Sequence, residues 1–145
     1  MIPKRIANKL DGFRGAFLLV LSVPWMAVGA SYVFISTPTR SAAFSYLPEL
    51  LNENELGWVW ILAGLFLLFC AWRGQRHPKF TTIGFLVAIA PPALWASLFF
   101  IAFCTGILPT AIVSVVMYGT FVALIFFCSG WPNPVHRTRD APGGL

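Results

Sequence analysis

Four stretches of this 145-residue chain contain no Asp, Glu, Lys or Arg: Gly15 to Ile35, Leu56 to Trp72, Phe80 to Phe103 and Cys104 to Trp131. Crossing a hydrocarbon core of ~30 Å takes about 20 apolar residues at helical rise. In lipid a backbone must pair its own polar groups, which leaves helices as the sensible spans for runs of this length. The spans expected are about 15–35, 56–72, 81–103 and 107–128, the second short enough to recruit its flanks. Charged residues make up 10% of the chain and hydrophobic ones 58%, against about a quarter charged in soluble domains. The fold class is therefore all-α integral membrane: one transmembrane domain over 1–145, with four transmembrane helices in two hairpins. An outer loop covers 36–55, a cytoplasmic loop 73–80 and a polar C-terminal tail 132–145.

Orientation follows from the basic residues, since Lys and Arg near span ends are retained in the cytoplasm. Lys4, Arg5, Lys9 and Arg14 precede the first span, Arg73, Arg76 and Lys79 lie between the second and third, and Arg137 and Arg139 follow the fourth. Arg40 alone falls on the other side, in a loop that also carries Glu49, Glu53 and Glu55. Both termini are expected in the cytoplasm, at the inner membrane. The net charge of +5 needs no nucleic acid to explain it, because a basic inner face beside anionic lipid accounts for it. Val28-Gly29-Ala30 before Ser31 has the small-residue pattern of a signal cleavage site. The apolar run around it outlasts the about 7–15 residues of a signal core, so it reads as an uncut span.

Trp and Tyr favour the headgroup level. Trp58 and Trp60 at the outer end of the second span, and Trp72 and Trp131 at the inner ends of the second and fourth, read as interface anchors. Trp25 and Trp95 fall near mid-span, each close to proline: Pro24 beside Trp25, and Pro91 and Pro92 shortly before Trp95. A buried indole N–H wants an acceptor, and a helix-interior proline leaves the carbonyl four residues earlier without its usual donor. Pro24 would free Val20, and Pro91 and Pro92 would free Val87 and Ala88. Two readings follow. The prolines are bends that shape packing, or Pro-interrupted spans mark a midplane site or gate. Bends are favoured, because a transporter site usually also has an intramembrane charge and these spans carry none.

Membrane helices associate through small residues that let backbones approach. Pairs at four-residue spacing are Ala27 with Ser31, Ala93 with Ser97, Thr110 with Ser114 and Gly119 with Ala123, and Gly57 and Gly64 share a face of the second span. These serve contacts within the bundle or between protomers of a homo-oligomer. In the outer loop, Pro48 to Asn54 reads as a short amphipathic helix lying on the outer leaflet or meeting a partner. No catalytic, metal or cofactor constellation stands out. Cys70, Cys104 and Cys128 are spread over both membrane sides, and His77 and His136 have no ligand spacing around them. Paired carboxylates, a nucleophile with a base, and a phosphate-binding glycine motif are all missing, so no enzyme and no cofactor are expected.

The order "FRGAFLLVLSVPW", "GWVWILAGLFLLFCAWRG", "GFLVAIAPPALWASLF" and "SGWPNP" resembles a group of small four-span membrane proteins encoded by bacteriophages of actinobacteria. The resemblance rests on Arg14 and Gly15, on Gly57, Trp60, Ile61, Leu62, Ala71, Trp72 and Arg73, on Pro92 to Ser97, and on Gly130, Trp131, Pro132 and Pro134. It implies a phage-encoded, non-enzymatic protein of the cytoplasmic membrane of an actinobacterial host. Two roles fit that origin: a holin-like lysis protein that oligomerises and permeabilises the membrane, or a membrane partner, acting on a host or phage membrane protein, that modifies infection as in superinfection exclusion.

Overall fold

The computed structural model describes residues 12–36, 53–74 and 76–131. They form helices α1 (Gly12–Phe34), α2 (Glu53–Arg73), α3 (Pro78–Cys104) and α4 (Ala111–Ser129), with no strand among the described residues. All four are long and apolar enough to cross a membrane. Even α4, with 19 residues, covers about 28 Å at helical rise.

Helix limits differ from the expected spans where the ends have their own chemistry. The second helix starts at Glu53, so that Glu53 and Asn54, expected to close a surface helix, form the first turn of α2. The rest of that expected helix, Pro48 to 52, lies outside the described residues. Helix α3 starts at Pro78, where a missing N–H costs nothing, behind an extended His77. The fourth helix, expected from Ile107, begins at Ala111. Gly106 takes a left-handed φ of 73°, a conformation glycine adopts without strain. The Leu108 amide then reaches back to the Ala102 carbonyl at 3.2 Å, which holds Ile107 and Leu108 in the connection.

Burial is periodic in a way that apolarity is not. On α1 the buried positions include Gly15, Leu18, Ser22, Trp25, Gly29 and Tyr32; on α2, Leu56, Trp60, Ala63, Leu67 and Cys70; on α3, Thr81, Phe85, Ala88, Pro92, Trp95, Phe99 and Ala102. Each series advances by alternating steps of three and four, the seam of left-handed coiled-coil packing. A second row on α3, at Gly84, Pro91 and Leu98, advances by seven. Both prolines of α3 therefore lie in its packed stripe, and the helix runs through them without a break.

Glycines set how close the helices come. A Cβ on Gly29 would sit 2.6 Å from the Gly57 carbonyl oxygen and 2.7 Å from the Ile61 amide nitrogen. One on Gly64 would meet the Ser22 carbonyl oxygen at 2.9 Å, and one on Gly84 would meet Leu18 Cδ1 at 2.7 Å and Cys70 Cβ at 3.0 Å. The Gly29 contact pairs the end of α1 with the start of α2, and the Gly84 contact brings the start of α3 against the start of α1 and the end of α2. Helix α1 packs most extensively on α2 and α3 on α4, with α2 against α3 joining the two pairs. Helix α4 is peripheral: only Ala111 and Ile125 are buried along it.

Candidate functional site

The packed stripes converge on an aromatic core built from all four helices. Trp60 of α2 stands at its centre, edge-to-face with Trp25 of α1 (centroids 5.1 Å apart) and with Trp95 of α3 (5.3 Å). Tyr32 of α1 crosses Trp95 at 5.4 Å, and the Trp95 indole N–H donates to the Tyr32 hydroxyl at 2.8 Å. Helix α4 contributes Phe121 against Trp25 and Tyr118 against Trp60, and Tyr118 stacks on Phe99 at 5.9 Å. The T-shaped arrangement sets positive ring edges on negative ring faces, about 0.5–1.5 kcal/mol per pair beyond area burial. Trp25 Nε1 and Trp60 Nε1 are buried and meet no acceptor among the described residues. Such donors cost roughly 1–3 kcal/mol each, so the ring contacts act against a polar penalty.

Expected positions sort unevenly around this core. Trp25 and Trp95 come together through Trp60, and Pro91 and Pro92 pack fully buried near Trp95. Pro24 of α1 is exposed, so that one mid-span proline faces outward while Pro91 and Pro92 face inward. Trp60 is a correction. Read as an interface anchor, it is 2% exposed in the bundle interior, since it follows Leu56 by one turn on the buried stripe. Trp58, Trp72 and Trp131 face outward, at 50%, 74% and 57% exposure. Sequence reading also passed over Tyr32 and Tyr118. For Tyr32 the signal is the seven-residue step from Trp25 through Gly29, which returns to one face of α1; Tyr118, on α4, has no such marker.

Of the small-residue pairs, Gly57 and Gly64 meet α1 directly. Ala27 is exposed, and Ser31 is turned on its own helix, where its hydroxyl donates to the Val28 carbonyl at 2.7 Å. Ser97 is likewise exposed and donates to the Ala93 carbonyl at 2.9 Å. Thr110, Gly119 and Ala123 are exposed and Ser114 half-buried; nothing lies within 4 Å of a Cβ built on Gly119. The α4 pairs thus make no contact inside the bundle at Gly119. Large apolar side chains flank them, with Val113, Val116, Met117, Phe126 and Phe127 exposed.

Arg14, Arg73, Arg76 and Lys79 lie at the one end of the bundle where α1 and α3 begin and α2 ends. Lys4, Arg5, Lys9, Arg137 and Arg139 fall outside the described residues. Cys70, Cys104 and Cys128 are free thiols, buried, exposed and half-buried in turn. Among the described residues no three of His, Cys, Asp and Glu gather closely enough to hold a metal ion. Comparison with protein families, curated proteins and solved structures finds no match for this chain.

Proposed function

We propose that this is a non-catalytic, phage-encoded membrane protein that assembles through its fourth helix and permeabilises the host cytoplasmic membrane, as a holin does. In this reading two helical hairpins span the inner membrane, with both termini and the basic end in the cytoplasm. The observation that carries it is the outward face of α4, where Gly119 and Ala123 are exposed and nothing approaches the Gly119 Cα. A glycine costs a helix interior about 0.5–1 kcal/mol relative to alanine, and close approach of a neighbouring helix is the return that membrane packing gives for it. Lipid alone would tolerate any apolar residue there.

The test is membrane potential followed in cells expressing this chain alone, beside a non-lytic four-span protein at matched abundance. An abrupt, timed collapse supports the reading, and Gly119→Leu at equal protein level delays or abolishes it. Steady potential with normal growth rejects it. A second reading, a membrane partner that modifies infection, draws support from the aromatic core. Trp60 packs against both Trp25 and Trp95 at the centre of the bundle, which fills the interior of a single copy with aromatic rings, and the α4 face then serves a different membrane protein.

A further inference from the structure

Arg14 is held differently from the other cations at its end of the bundle. Its Cζ lies 5.4 Å from the centroid of the Phe85 ring. That ring is 2% exposed and stacked on Phe17 at 5.7 Å, with planes 8° apart. The guanidinium is thus seated on a rigid aromatic face, half-buried at the start of α1, and Arg14 Nε is buried with no acceptor. Arg73, Arg76 and Lys79 are exposed around the same end. The acids among the described residues, Glu53 and Glu55, stand at the opposite end of α2. Nothing described there neutralises Arg14, and its side chain has already lost the freedom that an exposed arginine keeps.

We propose that Arg14 is the seat of an anionic phospholipid headgroup, taking the phosphate as a forked acceptor while Arg73, Arg76 and Lys79 supply the surrounding positive field. Guanidinium geometry matches phosphate oxygens in a two-point bond, and basic pockets between spans at a membrane surface are where headgroups dock. The phosphate level of a bilayer coincides with the ends of its spans, and Arg14 stands at the first turn of α1. The chemistry alone would admit free phosphate as well. The lipid is favoured because Phe13, next to Arg14, and Val20, two turns further along α1, are both exposed, which gives an acyl chain an apolar face leading away from the guanidinium on a helix long enough to cross a membrane. The inference rests on the four-span reading and on the basic end lying at the membrane surface; it does not require permeabilising activity.

The experiment is lipid titration of the purified full chain in detergent, read by native mass spectrometry and by the unfolding temperature. Phosphatidylglycerol, phosphatidylcholine and inorganic phosphate are compared at equal concentration. Phosphatidylglycerol should bind selectively and raise the unfolding temperature, and inorganic phosphate should do neither. Arg14→Gln should weaken phosphatidylglycerol about tenfold, the equivalent of one charge-assisted contact, while Arg76→Gln changes it less than about twofold. Phe85→Leu keeps the guanidinium but removes the face beneath it. It should fall between the two, which keeps the seat testable if Arg14→Gln folds poorly. Equal loss in Arg14→Gln and Arg76→Gln, equal binding of phosphatidylcholine, or the whole effect from inorganic phosphate would each overturn the proposal. Because binding is read on isolated protein, steady potential in cells leaves this result standing, and lost lipid selectivity leaves the assembly reading standing.

Discussion

The Trp95 indole N–H donates to the Tyr32 hydroxyl at 2.8 Å, tying α3 to α1 across the bundle interior. It is the bond that spares Trp95 the unpaired state of Trp25 and Trp60. Tyr32→Phe removes the acceptor while keeping the ring that packs on Trp95. The expected cost is about 1–2 kcal/mol, from the range for an orphaned buried donor and for side-chain bonds between membrane helices. Unfolding in a fixed detergent measures it. A double variant with Trp95→Phe should show coupling of at least about 0.5 kcal/mol, as residues in direct contact do; additive losses would mean the bond contributes nothing.

Gly29 and Gly119 are both mid-helix glycines, yet they should respond in opposite ways to alanine. A Cβ on Gly29 would meet backbone atoms of Gly57 and Ile61 at 2.6 and 2.7 Å, and backbone cannot swing aside as a side chain can. Gly29→Ala should therefore force α1 from α2 and cost about 1–3 kcal/mol, in the range of overpacked cores. Gly119→Ala meets nothing within 4 Å and should leave stability equal or raise it by up to about 1 kcal/mol through helix propensity. Thermal unfolding of the two variants in one detergent decides both.

Trp58 and Trp60 extend the same argument to large side chains. They are two residues apart on α2, and one is 50% exposed while the other is 2% exposed at the centre of three ring contacts. Trp60→Ala should cost about 3–5 kcal/mol, as other large-to-small core changes do. Trp58→Ala should cost under about 1 kcal/mol in detergent. Equal effects would mean that Trp60 does not hold the bundle together.

That pair also shows what could be read from the chain and what could not. Spans were legible because a charge in hydrocarbon is expensive, so its absence marks them. Helix sides were not, because lipid and bundle interior are equally apolar, and Leu62 outside looks like Leu67 inside. The readable signal was residue size and hydrogen-bonding capacity at steps of three and four, as in Gly15, Leu18, Ser22, Trp25, Gly29 and Tyr32. Small pairs taken at four-residue spacing alone missed it, which is how Ala27 was favoured over Gly29. The prolines of α3 looked like an interruption. Each removes one donor but stays compact, and the packed stripe accommodates both within a continuous helix. Arg14 was legible only as a positive charge; its place on Phe85 depends on the approach of α3 to α1.

Cysteine reactivity separates fold from orientation in one experiment. Cys104 ends α3 and is exposed, Cys128 is half-buried near the end of α4, and Cys70 is fully buried against Gly84. Cys104 lies at the opposite end of α3 from Lys79, and Cys70 on the basic side near the end of α2. With the basic end in the cytoplasm, a membrane-impermeant maleimide added outside intact cells should label Cys104 alone. Cys128 should react once the membrane is opened, and Cys70 only after denaturation, because no reagent reaches a thiol packed between α2 and α3. Labelling of Cys128 before Cys104 would invert the orientation and leave the bundle intact. Labelling of Cys70 in the folded protein would instead count against the close approach at Gly84, and with it the route by which α3 brings Phe85 beneath Arg14.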